Sequence, residues 1–147
     1  MTIYTVKVDY NGNKFWYLDG KRHRIDGPAV EWANGSKSWF LNDTQHRIDG
    51  PAIEYADGSK RWFLDGKLHR VDGPAIEDAD GSKEWYQYGK CHRVDGPAIE
   101  YASGTNHWYL DGNKLTQAQW KQAVTPKPSC VGKIVEVDGV KYRLVAA

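Results

Sequence analysis

A chain of 147 residues with 20 Lys and Arg against 19 Asp and Glu has almost no net charge. The length is that of one domain, and the charge balance argues against a nucleic-acid partner held by counterion release, which draws on a basic excess. Seven Trp and nine Tyr beside 15 Gly, at a mean hydropathy of −0.71, describe short strands joined by tight turns.

In chain order, Ile3 to Tyr10 alternates apolar and polar residues and is predicted to be an opening strand. The same alternation sets Met1–Val8 apart from the apolar run of a secretory leader. No stretch nears the ~20 apolar residues of a membrane span. The expected location is therefore the cytoplasm. A degenerate half repeat follows, Asn11-Gly-Asn-Lys-Phe-Trp16-Tyr-Leu-Asp-Gly-Lys21.

Then His-Arg-(Ile/Val)-Asp-Gly-Pro-Ala opens at His23 and returns at His46, His69 and His92, always 23 residues on. Self-similarity at a fixed period decides the architecture before any local reading. The prediction is a mostly β protein: an elongated antiparallel sheet or solenoid of stacked 23-residue hairpins over residues 1–114. Within a unit, Asp57-Gly58 signals a two-residue hairpin turn in which both residues take positive φ. That register pairs Tyr55 with Lys60, Glu54 with Arg61, Ile53 with Trp62 and Ala52 with Phe63. Likewise Val30 meets Trp39, Ile76 meets Trp85 and Ile99 meets Trp108. One Trp/Ile stripe, shared with Tyr55, is then the core that stacked units shield together. Glu54, Arg61 and Arg70 form a charged row on the other face. Asp65-Gly66 makes the second turn and sets His69 against Trp62.

Past the array, Thr116 and Gln119 fit a capping box, with Leu115 and Trp120 as its hydrophobic staple. A capping helix is expected over residues 115–125, ending near Val124 before Pro126. Residues 126–147 read as a C-terminal hairpin around Asp138-Gly139. Residues 113–147 carry six bases with only Glu136 and Asp138 as acids, a mildly basic tail.

Asp65-Gly-Lys-Leu-His69 and Asp80-Gly-Ser82, with an aromatic shortly after, resemble the MORN repeat across residues 11–112. The likeness departs where Arg follows the His, where Asp-Gly-Pro-Ala follows that, and in the spacing from Gly66 to Gly81. This variant, closed by a Leu-Thr-x-x-x-aromatic helix, resembles arrays of phage, large-virus and bacterial proteins. The resemblance implies a scaffold or binding role. A phage origin would imply a small protein that binds, and inhibits or remodels, a host protein. MORN proteins are also linked to lipid headgroups.

Chemistry is sparse. No nucleophile elbow, phosphate loop or metal-protease motif occurs, so a non-enzymatic protein without cofactor is expected. Cys91 and Cys130 do not recur with the repeat, which gives neither a disulfide framework nor a metal site. The four His read as packed on, or bonded near, the Trp of their own unit. Arg24, Arg47, Arg70 and Arg93 offer an anion-binding ladder for nucleic acid, nucleotide or headgroup, together with the basic tail. Yet Asp26, Asp49, Asp72 and Asp95 and the in-register Glu residues predict internal ion pairs instead. Departures from the repeat point to partner binding: Trp32, Tyr55 and Tyr101 at the hairpin tips, and a notch in the third unit made by Asp78, Gln87 and Tyr88. Drift, with Lys83 bridging Asp78, is the plainer reading of that notch. The expected partner is another protein, and self-association into a homo-oligomer is compatible with such an array.

Overall fold

The computed structural model describes residues 3–126, 134–137 and 140–143; Cys130 and the Asp138-Gly139 turn lie outside them. The protein is mostly β, as its repeats predict. Twelve strands form one open antiparallel sheet, and each unit adds two strands to it in sequence order. The opening strand runs Thr5–Val8 and pairs with Lys14–Leu18. Most strands in the units are only two residues long. A single such ribbon is not stable in water, so the units depend on one another.

Two rows of cross-strand partners run the length of the sheet. One reads Lys14, Glu31, Lys37, Glu54, Lys60, Glu77, Lys83, Glu100 and Asn106. Opposite charges therefore face each other at every step but the last, which favours this register over its neighbours. The row one residue along reads Phe15, Val30, Ser38, Ile53, Arg61, Ile76, Glu84, Ile99 and His107. Directly paired side chains share a face, so the two rows lie on opposite faces.

This corrects the predicted register by one residue. Ile53 faces Arg61, not Trp62, and Glu54 faces Lys60, not Arg61. The turn is the cause. Only Gly58 has positive φ, at 92°, whereas Asp57 does not. The Asp57 carboxylate accepts the Ser59 N–H at 2.8 Å, and Gly58 N–H closes onto the Tyr55 carbonyl at 3.0 Å. The loop is thus one residue longer than a two-residue turn, a type I turn closed by a left-handed glycine. A slip of one residue moves every side chain to the other face. The single Trp/Ile stripe and the Glu54–Arg61–Arg70 row therefore do not form. The second turn is as predicted: Asp65 and Gly66 take φ 49° and 75°, Leu64 faces Lys67, and the His69 N–H donates to the Trp62 carbonyl at 3.0 Å.

Two further ladders join the units. Ala29, Ala52, Ala75 and Ala98 are completely enclosed. Their carbonyls accept the N–H groups of Trp16, Trp39, Trp62 and Trp85, each at 2.8 Å. Ser36, Ser59 and Ser82 are buried because each hydroxyl oxygen accepts the N–H of an alanine in the next turn, Ala56, Ala79 and Ala102, at 3.0 Å. Buried polar groups persist when bonded in this way.

At the far end, Asn106–Leu110 pairs with Asn113–Leu115, placing Leu115 opposite Trp108 where the other units have His. Leu115 and Thr116 stand where His-Arg would, and a helix, Gln117–Val124, follows. Thr116 and Gln119 form the capping box. The helix packs on both neighbouring strands. Its Trp120 indole N–H donates to the Arg93 carbonyl at 2.8 Å, so it seats against the last His-Arg loop. Ile134–Val137 and Val140–Arg143 pair as an antiparallel hairpin. No helix among the described residues is long and apolar enough to cross a membrane.

Candidate functional site

The two faces of the sheet differ in kind. The face of the Lys/Glu row carries the loops, and its residues repeat almost without change. Each loop Arg lies over the Trp of the preceding strand, its guanidinium carbon 4.4 Å from the ring centre for Arg24 on Trp16, 4.0 Å for Arg47 on Trp39 and Arg70 on Trp62, and 3.8 Å for Arg93 on Trp85. A cation over an indole is held by the ring quadrupole. Nε of each Arg then meets the Asp two residues on, at 2.7–3.0 Å. Nη1 donates to Glu31, Glu54, Glu77 or Glu100 and to the proline carbonyl of the same loop.

The hydrogen bond from Arg47 holds the Asp49 carboxyl below its ordinary pKa; Arg70 does the same for Asp72 and Arg93 for Asp95. Gly27 has a second role beyond the turn. A Cβ there would stand 2.9 Å from the Arg24 guanidinium carbon, and Gly50, Gly73 and Gly96 are equally crowded. Glycine is what lets the loop close over its own arginine. The four arginines thus form an internal ion-pair ladder with the interleaved acids.

Each His ties its unit to the next. Nδ1 of His23, His46, His69 and His92 accepts the backbone N–H of Asn42, Asp65, Tyr88 and Asp111, at 3.0–3.3 Å. Those four residues all sit at positive φ. Tyr88 holds that conformation, uncommon for a bulky residue, while its ring lies 4.2 Å from the His69 ring. Asp43 replaces the usual turn glycine at φ 64°, and its carboxylate accepts from the backbone N–H and Nε of Arg22.

The other face varies from unit to unit. Its central row runs Phe15, Ser38, Arg61, Glu84, His107 between the constant aliphatics. The row of tip residues beside it runs Trp32, Tyr55, Asp78, Tyr101. The three tip aromatics are 41–43% exposed. Trp32 packs edge-on to Phe15, and Tyr101 edge-on to His107. Arg61 lies over the Tyr55 ring at 5.6 Å and pairs with Asp78. A groove of about 430 Å³ opens on this face, walled by Trp32 and Tyr55 and floored by Phe15, Val30, Phe40 and Ile53.

The predicted notch is not one site. Asp78 lies at the tip turn that precedes the strand Lys83–Glu84, whereas Gln87 ends the strand Tyr86–Gln87 and Tyr88 follows it, at the opposite turn. Asp78 takes its partner from Arg61 of the neighbouring unit and not from Lys83, because the true register brings Arg61 alongside Ile76. Lys83 faces Glu77 and Glu100 instead.

Cys91, also in this unit, is buried against Ala98 and Ile99, and burial pushes its thiol up to about 12. In a Cys130→Ser background the native chain should react with a maleimide at pH 8 on the order of 100-fold more slowly than the urea-unfolded chain. Equal rates would place the thiol at the surface.

The variable positions Ser38, Arg61, Glu84 and His107 escaped the sequence reading. They form a column that never repeats, as do Arg22, Gln45, Leu68, Cys91 and Lys114, but the mistaken register hid that they share a face with the tip aromatics. Also missed were Ile25, Ile48, Val71 and Val94 at the loop tips, which are 59–87% exposed. No family model matches the chain, and no curated protein matches it.

Proposed function

We propose that this chain is a non-enzymatic, repeat-built module that binds another protein through its variable face. The observation that carries the reading is the segregation of the two faces. Residues that stack, pair and staple the units recur on the loop face, while differences between units gather around exposed Trp32, Tyr55 and Tyr101. An array that only needed to stand would have no reason to gather most of its variation on one side. Exposed Trp, Tyr and Arg beside an apolar groove are the residues that anchor protein interfaces. The likeness to phage and viral arrays extends the reading to a host protein that is bound and inhibited or remodelled.

Affinity capture from the cells that carry the chain, read by mass spectrometry, supplies the partner. Titration with that purified partner is the test. Replacing Trp32, Tyr55 and Tyr101 together by Ala should weaken binding by at least on the order of 100-fold, given ~1–2 kcal/mol for each anchor, with far-UV circular dichroism unchanged. Binding that survives the triple change rejects this face. Affinity should also respond weakly to salt between about 50 and 200 mM; a steep loss would favour an anionic ligand on Arg24, Arg47, Arg70 and Arg93.

A further inference from the structure

The loop face carries a feature that the stacking does not require. Ile25, Ile48, Val71 and Val94 are 75%, 87%, 79% and 59% exposed, one at each His-Arg-x-Asp-Gly loop. Between successive loops lie open grooves. The first, of about 840 Å³, has Trp39 and Leu41 at its base and is flanked by Ile25 and Ile48. The second, of about 600 Å³, has Trp62 and Leu64 at its base and is flanked by Ile48 and Val71. Gln87 takes the leucine's place in the third unit, so the apolar base ends after two grooves.

The grooves repeat once per unit, and each unit adds two strands to the sheet. Strands lie about 4.7–4.9 Å apart, so the grooves recur about every 9.4–9.8 Å. A polyproline II helix advances about 9.3 Å in its three-residue turn, and aromatic-lined slots are what such helices dock into. The local charge selects the rest of the ligand. The side chains of Asp26, Asp49 and Asp72, which line these grooves, remain 76–84% exposed although paired. The arginines paired with them are only 22–23% exposed, so the Asp carboxylate is the charge of each pair that stands open to such a ligand.

The geometry points to a second binding surface, distinct from the variable face: paired Trp/Leu grooves that take a basic, proline-rich segment in the polyproline II conformation, one turn per groove. The apolar side of each turn enters a groove between two Ile/Val loop tips, and a basic residue every third position meets Asp26, Asp49 and Asp72.

Fluorescence anisotropy with three labelled, end-capped peptides tests this. The periodic peptide repeats Pro-Pro-Arg four times and matches the spacing. The block peptide has the same composition and charge, with all its prolines first and all its arginines last. The third peptide repeats Pro-Pro-Glu four times and reverses the charge. The periodic peptide should bind on the order of tenfold more tightly than the block peptide, and the Glu peptide should not bind. The double variant Ile48→Ser, Val71→Ser alters only exposed side chains, which rarely disturb folding; it should weaken the periodic peptide on the order of tenfold. The Trp32, Tyr55, Tyr101 triple variant should leave peptide binding unchanged, which separates this surface from the variable face. Equal binding of periodic and block peptides, no binding of the periodic peptide, or indifference to the loop-tip variant overturns the proposal. So does sedimentation showing a dimer that the loop-tip variant dissolves, since the occupant would then be a second copy.

Discussion

Trp62→Ala should lower the stability of the chain by roughly 2–4 kcal/mol, the lower part of the range for removing a large aromatic because Trp62 is only partly buried. The indole is the platform on which the Arg70 guanidinium lies. Its backbone N–H and carbonyl bind Ala75 on one side and His69 on the other, so the side chain sits at a junction of two units. In a quasi-one-dimensional array, stability is a sum of unit and neighbour terms. A loss at Trp62 weakens the joint between the first two units and the last two. The urea transition should therefore broaden or divide, with a lower apparent m-value. Trp16→Ala has only the Thr5–Val8 strand beyond it on that side and should cost less, with the single transition kept. Equal costs at Trp62 and Trp16, with unchanged cooperativity, would mean that the indoles are not what couples the units.

How far the fold could be read from the residues turned on two Asp-Gly steps that look alike. The period, the equivalence of the Trp positions, the His–Trp pairing and the capped helix all follow from spacing and from groups that have one evident partner. Asp65-Gly66 is a two-residue turn because nothing local competes for its backbone. Asp57-Gly58 is not, because a hydrogen-bonding carboxylate next to Ser59 N–H offers Asp57 an ordinary negative φ and leaves only Gly58 left-handed. Asn34-Gly35-Ser36 and Asp80-Gly81-Ser82 make the same bond. The hydroxyl residue after the glycine, serine in three units and Thr105 in the fourth, distinguishes this turn from Asp-Gly-Lys. Every error about faces descends from that one bond: the supposed Trp/Ile stripe, the Lys83 bridge, and the blindness to Arg61, Glu84 and His107.

The loop tips failed for a different reason. In His-Arg-Ile-Asp hydrophobicity alone would turn Ile inward and Arg outward, and the spacing gives the Ile/Val no direction of its own. The chain inverts this because the Arg has a Trp beneath it and two carboxylates beside it, and is 19–23% exposed. A short loop cannot turn both neighbours inward. The interleaved acids announce the pairing, but nothing in the composition shows the Trp platform until the strands are placed.

That inversion makes the sharpest energetic forecast. Arg47→Ala removes the stack on Trp39 and the donors to Asp49, Pro51 and Glu54. It should cost roughly 2–4 kcal/mol, because the indole loses its cation and the partly buried Pro51 carbonyl and Glu54 lose their donor. Gly50→Ala removes none of these groups. Its new Cβ would stand 3.0 Å from the Arg47 guanidinium carbon, so the arginine must leave its seat, and about 1–2 kcal/mol should be lost. Combined, the two changes should not add. With Arg47 already gone, the methyl group meets no guanidinium. Gly50 is not left-handed, and the proline after it already restricts it to extended backbone. In the Arg47→Ala background, Gly50→Ala should then change sign and stabilise by about 0.4–1 kcal/mol through the lower entropy of the unfolded chain. Urea unfolding of the four proteins in the cycle measures this directly. A coupling near zero would show that glycine is required here for its own backbone and not for the arginine that lies against it.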